Sequence, residues 1–391
     1  MYRLPIENGG ATQRLERPRS RGTAVETLGR ASGSPNRRSS RRAGVPSVRG
    51  RLAVTVVATS LSAWIAVHAG ATADLAAPSS ASFGAPFGAE PIAPLPPAAA
   101  SDPDKVRLGE RLFHDVRLSR GDAVACASCH RLDQGGDDDR ARPLSHADGA
   151  PLAFNAPTVF NAALSFRLNW RGNFRTLEEQ NEAVLLDPRL MNTTWEELLA
   201  ELRADPGYRS AFAAAYGGGP ERAYVLDALA AFQRSLLTPG ARFDRYLRGQ
   251  RDAITGAEEH GYRLFKAYGC VACHQGVNIG GNLFQKFGVF GDPPPEPGAV
   301  TEADLGRFAL TGEERDRHVF RVPSLRNVGV TAPYFHDGRA PTLERAVEVM
   351  ARRQLGQTLT EQEVGLIVGF LHTLTGQYRG RSLNPAAGRP P

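Results

Sequence analysis

Cysteine and methionine are the scarce residues of this chain, four and three respectively among 391. All four cysteines fall into two Cys-x-x-Cys pairs, and apart from Met1 only Met191 and Met350 can offer a thioether as a ligand. Strand signals are weak as well: no alternating apolar run matches the helical patterns in strength, so a mainly α fold is expected, with long loops. A bilayer-length apolar run is also missing. Leu52 to Val67 is moderately apolar, but its 16 residues are interrupted by Thr55, Thr59, Ser60 and Ser62; a membrane span needs roughly 20.

An excess of positive charge is lacking too, despite the formal +6 of the whole sequence. Residues 1–50 hold eleven Arg against Glu7, Glu16 and Glu26, a local charge of +8, whereas beyond residue 73 there are 35 basic and 38 acidic residues, a net charge of −3. Nucleic-acid binding therefore has no support. The Arg-rich opening, the apolar run and Ala71-Thr72-Ala73, which has the form of a signal-peptidase site, read as a leader over 1–73 that exports the protein to the periplasm. An uncleaved anchor is the alternative, and Arg41-Arg42 resembles a twin-arginine signal only weakly. Residues 74–101, dominated by Ala, Pro, Ser and Gly, read as a tether.

What the chain does have is a repeated pentapeptide. Cys126-Ala127-Ser128-Cys129-His130 and Cys270-Val271-Ala272-Cys273-His274 each place two thiols three residues apart with an imidazole directly after them, the attachment pattern of a c-type haem. Each thiol adds to a haem vinyl group, and the histidine reaches the iron as proximal ligand. Zinc or a pair of structural disulfides are the alternatives. A zinc ribbon separates its cysteine pairs by roughly 15 to 20 residues, whereas Cys129 and Cys270 lie 141 apart. Neither alternative gives a reason for the two histidines. Two covalent haems are therefore expected, and export agrees with them, since c-type haem is attached outside the cytoplasm.

The surroundings of the motifs repeat as well. Arg111-Leu112-Phe113 precedes the first and Arg263-Leu264-Phe265 the second, and Gly135-Gly136 and Gly280-Gly281 follow them. The repeat predicts two cytochrome c-like domains, 102–253 and 254–378, before a flexible tail, 379–391. Helices are predicted from Asp102-Pro103 to Phe113, from a capping box at Thr194 to Glu197, from about Pro220 to Leu237, and from a second capping box at Thr360 to Glu363 to a stop at Gly376.

From about Asp102 to Gly376 the sequence resembles the bacterial di-haem cytochrome c peroxidases and their MauG-type relatives. Besides the haem motifs, the resemblance rests on Leu108-Gly109, Leu112-Phe113, Arg117-Leu118-Ser119, the run Asn155 to Asn161, Trp170, and Val322 to Arg339 with Leu325-Arg326-Asn327-Val328 and Thr331-Ala332-Pro333-Tyr334-Phe335-His336. It implies that the haem held by His130 reacts with hydrogen peroxide, while the haem held by His274 relays electrons from a small periplasmic cytochrome c or copper protein. It implies further that Trp170 lies between the haems, and that Asn155 and the backbone carbonyls of Thr331 and Pro333 hold a calcium ion, oxygen ligands that suit a hard cation. Met350, 76 residues after His274, matches the family's axial methionine, where MauG has tyrosine; His/Met ligation raises a haem's potential. Met191, 61 residues after His130, matches a residue that flanks a pocket loop and does not ligate. His146 matches the displaceable distal histidine of the first haem, one residue off the family's spacing to the next Pro, with a solvent-exposed loop histidine as the alternative.

The main departure from the family is Leu190. The peroxidases carry a glutamate there that moves protons during O–O cleavage, and leucine cannot act as acid or base. Gln180 matches a pocket residue, and Glu182 or Glu179 is the candidate substitute carboxylate. The first reading is thus an exported di-haem peroxidase. The second is a MauG-like enzyme that uses peroxide to oxidise an aromatic side chain of a partner protein; Trp170 to Arg175 together with Leu190 looks more like that branch, which includes members that modify tryptophan in copper-binding partners. The third is a di-haem electron carrier without catalysis. A homodimer is compatible with each.

Overall fold

Side chains that satisfy free backbone N–H groups set where the helices begin. Asp102 accepts from Asp104 N–H at 2.9 Å and starts α1 (Pro103–Phe113), whose first residue is the proline expected there. The computed structural model describes residues 90–96, 101–291 and 300–384. The chain divides into two units, Met1–Ser79 and Ser80–Pro391, and every described residue belongs to the second. The leader and apolar run, most of the tether and the end of the tail lie outside the described residues. After α1 come α2 (Cys126–Cys129), α3 (Leu177–Leu186), α4 (Trp195–Ala204), α5 (Pro206–Tyr216), α6 (Arg222–Ser235), α7 (Arg242–Leu247), α8 (Gly256–Ala267), α9 (Phe308–Thr311), α10 (Leu343–Gln354) and α11 (Glu361–His372). The described fold is mainly helical, as expected. Two short antiparallel pairs accompany the helices: β1 (Phe284–Lys286) with β2 (Val319–Arg321), and β3 (Gln377–Tyr378) with β4 (Arg381–Ser382). No helix among the described residues is long and apolar enough to cross a membrane.

The apolar faces of these helices form two large cores, with a small third cluster of Leu168, Leu177 and Ala230. Leu112 and Phe113 of α1 pack with Leu198 and Leu202 of α4, Phe212 of α5 and Phe232 of α6. Phe243 of α7, Tyr262 and Phe265 of α8, and Ile367, Phe370 and Leu371 of α11 make the second core. Each core contains a close helix crossing that admits only glycine. A Cβ on Gly109 of α1 would overlap the carbonyl of Ala228 in α6, and one on Gly261 of α8 would overlap that of Leu366 in α11. The sequence repeat is therefore a repeat of packing.

The structure differs from the sequence reading at several boundaries. The end of the supposed tether is anchored: Ile92 and Leu95 are buried, Tyr262 OH donates to Glu90 at 2.5 Å, and Ala93 N–H donates to the Gly276 carbonyl at 3.4 Å. Two apolar side chains in a Pro-rich segment suffice to hold it on an existing core. The start of the tail is anchored too, by β4 and by Leu383, which is buried in the first core. α7 precedes residue 254 yet packs in the second core. α11 ends at His372, before Gly376, whose N–H instead donates to the Asn327 side chain at 3.0 Å. The Thr360–Glu363 capping box is complete. At Thr194 the carboxylate of Glu197 accepts from the threonine hydroxyl at 3.0 Å, so only the threonine side of that box forms.

Candidate active site

Each pentapeptide forms a single helical turn that ends on its histidine. His130 N–H donates to the Cys126 carbonyl at 3.0 Å and His274 N–H to that of Cys270 at 2.9 Å. Each Cys-x-x-Cys pair presents two free thiols. Burial pushes Cys126 and Cys270 each up to about 12 and keeps them neutral. His130 Nδ1 donates to the Gly136 carbonyl at 3.2 Å, and His274 Nδ1 to that of Ile279 at 3.3 Å. Burial lowers the affinity of both rings for a proton, His274 to about 4. A neutral imidazole fixed through Nδ1 offers Nε2 as ligand. Two thiols plus one such imidazole fit a covalently held haem, and the set occurs twice.

One hydroxyl ties the two halves together. Asn161 and Asn327 both adopt left-handed backbone, with φ of 58° and 62°. Their side-chain oxygens accept N–H groups of Thr238 and Gly376, each at 3.0 Å. Their amides both donate to Thr238 Oγ1, at 2.8 and 3.0 Å. Nine residues beyond each asparagine stand Trp170 and His336, whose rings meet edge to face with centroids 6.5 Å apart. Trp170 Nε1 donates to the Asn155 carbonyl at 2.9 Å, and Asn155 N–H donates to the His336 carbonyl at 2.8 Å. Trp170 thus lies where segments from the two halves are joined.

The same joint brings the calcium candidates onto adjoining segments. Asn155 is buried and its amide nitrogen donates to the Arg140 carbonyl at 2.9 Å, which fixes which way the side chain faces. Among the described residues no hydrogen bond is donated to Asn155 Oδ1 or to the carbonyl oxygens of Thr331 and Pro333. Three oxygens left without internal donors fit a hard cation.

The loops around the distal candidates pin one another. His146 N–H donates to the Arg189 carbonyl at 3.0 Å, Arg120 N–H donates to that of Met191 at 2.9 Å, and His146 Nε2 lies 3.0 Å from the Arg120 carbonyl. His146, Leu190 and Met191 therefore share one loop cluster, but the His146 ring is engaged with backbone. Met191 is buried in the first core. Gln180 is half-buried on α3, and Met350 is half-buried on α10. Glu182 departs from expectation. Its Oε1 accepts from Trp195 Nε1 at 2.9 Å and pairs with Arg222 at 2.5 Å, so it braces α3 against α4 and α6 instead of standing free for proton transfer. Glu179 accepts from Arg175 N–H at 2.8 Å at the start of α3.

Two groups beside Trp170 escaped the sequence reading. His336 Nε2 lies 3.0 Å from Asp304, which also accepts from Arg339 at 2.6 Å and from Thr301 Oγ1 at 2.7 Å. Burial works to raise the Asp304 carboxyl, but the hydrogen bonds from His336 and Thr301 outweigh it and hold the group well below the usual carboxylate range. Asp304, His336 and Asp337 are close enough together for a cation, but Arg339 already donates to both carboxylates. The second group is the buried Arg321. The position of His336, nine residues after Asn327 as Trp170 is after Asn161, is the signal that the repeat offered.

Residues 103–252 match the family model described as di-haem cytochrome c peroxidase. The chain is 40% identical over 298 residues to the cytochrome c551 peroxidase of Nitrosomonas europaea, covering 76% of this chain and 87% of that one. The chain belongs to the di-haem cytochrome c peroxidase family. It is also 41% identical over 290 residues to the cytochrome c peroxidase Ccp of Escherichia coli, covering 74% of this chain and spanning 62% of that relative's length. Among solved structures, a MauG-like protein associated with microbial copper homeostasis superposes with a TM-score of 0.63 at 30% identity, covering 73% of this chain and 93% of that one. The two thiol–imidazole sets are consistent with the two c-type haems of a di-haem family.

Proposed function

We propose that this chain reduces hydrogen peroxide to water, taking the electrons from a small reduced redox protein such as a c-type cytochrome. The observation that carries this reading is the pair of half-buried, neutral histidines, each fixed through Nδ1 beside two free thiols, in a chain about 40% identical to proteins named cytochrome c peroxidases. When bound, haem supplies the redox-active iron at which a peroxide O–O bond is split by two electrons and two protons. In this reading the half around His130 receives peroxide and the half around His274 receives electrons. Met350 would hold the haem of the latter through its thioether, and Trp170 stands where the two halves join. Asn155 Oδ1 and the carbonyls of Thr331 and Pro333 hold a calcium ion that stiffens the joint. The mature protein works in the periplasm. A haemochrome assay on the purified holoprotein is expected to give two haems per chain and one in Cys126→Ala/Cys129→Ala. Zinc without haem in the wild type would overturn the reading.

A second reading, in which peroxide is used to oxidise an aromatic side chain of a partner protein, is favoured by Leu190 and by the engagement of Glu182. Removing a positioned proton-transfer group costs roughly 100- to 10,000-fold in rate, which a catalyst acting once per partner molecule tolerates better than a scavenger.

A further inference from the structure

Among the described residues of the second half two arginines are buried, and one of them has a counter-ion there. Arg326 is paired with Asp244 at 3.0 Å, with both side chains almost wholly enclosed. Arg321, on β2, is 7% exposed. Its Nε donates to the Asn169 carbonyl at 3.1 Å and its backbone N–H to that of Trp170 at 2.9 Å, and among the described residues no carboxylate forms an ion pair with it. Burial alone pushes it down to about 10, which leaves it charged at neutral pH. A buried charge persists when an anion compensates it, because desolvation otherwise costs several kcal/mol.

The surroundings of Arg321 indicate which anion that is. Arg321 pairs in register with Phe284 of β1, and the next residue of β1, Gln285, places Nε2 3.9 Å from Cys273 Sγ. Val322 N–H donates to the Leu283 carbonyl at 3.0 Å, and its own carbonyl accepts from Gly281 N–H at 2.8 Å. The carbonyl of the next residue, Pro323, reaches the His274 imidazole. The strand that carries Arg321 is thus built onto the second haem loop, with Trp170 on its other side. A haem brings propionate carboxylates to such a place, and a guanidinium fork matches a carboxylate.

We propose that Arg321 forms an ion pair with a propionate of the haem bound by His274, and that its buried positive charge raises the reduction potential of that haem. The proposal rests on the two-haem reading. A fixed cation favours the reduced iron, which carries one positive charge fewer, and at about 10 Å with an effective dielectric of about 20 the effect is about tenfold in the reduction equilibrium, or 59 mV for one electron. Arg321 acts through the haem as a positioning residue and touches no substrate.

The test is a spectroelectrochemical titration of holoprotein, with haem counted in the same samples. Arg321→Gln is expected to retain two haems, to shift the reduction equilibrium of the His274 haem about tenfold toward the oxidised form, and to leave the His130 haem within about twofold; Arg321→Lys is expected to restore most of the shift. An unchanged potential in Arg321→Gln at two haems, a shift confined to the His130 haem, or a lysine variant that behaves as the glutamine one would each overturn the pairing. A wild type with fewer than two haems would overturn the two-haem reading and the pairing with it. If Arg321→Gln does not fold, redox-difference infrared spectra of Arg321→Lys carry the test. Loss of the fork is expected to move the propionate carboxylate band, and an unmoved band contradicts the proposal.

Discussion

At the scale of single residues, sequence identity and structural context divide the candidate ligands and acids. Glu182 had the right chemistry for a proton carrier, but it already accepts from Trp195 and Arg222; only the fold reveals that it is committed. Met350 is the thioether proposed for the second haem, and Met191 is buried in the first core. Met350→His is expected to keep that haem low-spin while lowering its midpoint potential, because a thioether favours ferrous iron more than a second imidazole does; an unchanged spectrum and potential would show that Met350 only packs. Asp304 provides a pH prediction. Its folded carboxyl is held below the ordinary range, so its contribution to stability is complete above the unfolded value of about pH 4 and is lost as pH falls through the lower folded value. Asp304→Asn is expected to cost about 1–3 kcal/mol near neutral pH. The gap from wild type in urea unfolding should narrow below about pH 4.

At the scale of elements, the matched crossings of α1 with α6 and of α8 with α11 carry the repeat. Gly109→Ala and Gly261→Ala are each expected to destabilise by about 1–3 kcal/mol or more, read as a lower denaturation midpoint, since the overlap is with backbone that cannot rotate away. Either variant unfolding like wild type would show that the helices move apart at little cost. Much of this layer was legible in the sequence. Asp102-Pro103, Thr194 and Thr360 start helices because capping is local chemistry, and the two pentapeptides declare their cofactor because covalent attachment fixes residue types and spacing. What stayed hidden depends on distant partners. Gly376 reads as a helix stop, yet its N–H serves Asn327. Ile92 and Leu95 look too isolated to order a Pro-rich segment, yet both are buried and Ile92 joins the second core. Arg321 gives no signal in sequence, because its isolation is a property of the folded surroundings.

At the scale of the whole molecule, the two helical halves are fastened at Thr238 and again where Trp170, Asn155 and His336 meet. A joint rigid at both points suits electron transfer between sites that must keep a fixed separation. This paired arrangement is proposed to turn over peroxide. The most direct measurement follows oxidation of a reduced small c-type cytochrome by holoprotein as peroxide is added in known amounts. The expected result is sustained turnover that consumes two cytochromes per peroxide and is lost in Cys126→Ala/Cys129→Ala. A single slow reaction with peroxide that the reduced cytochrome does not discharge would contradict the peroxidase and leave the partner-modifying reading, and no reaction with peroxide in any redox state would contradict both.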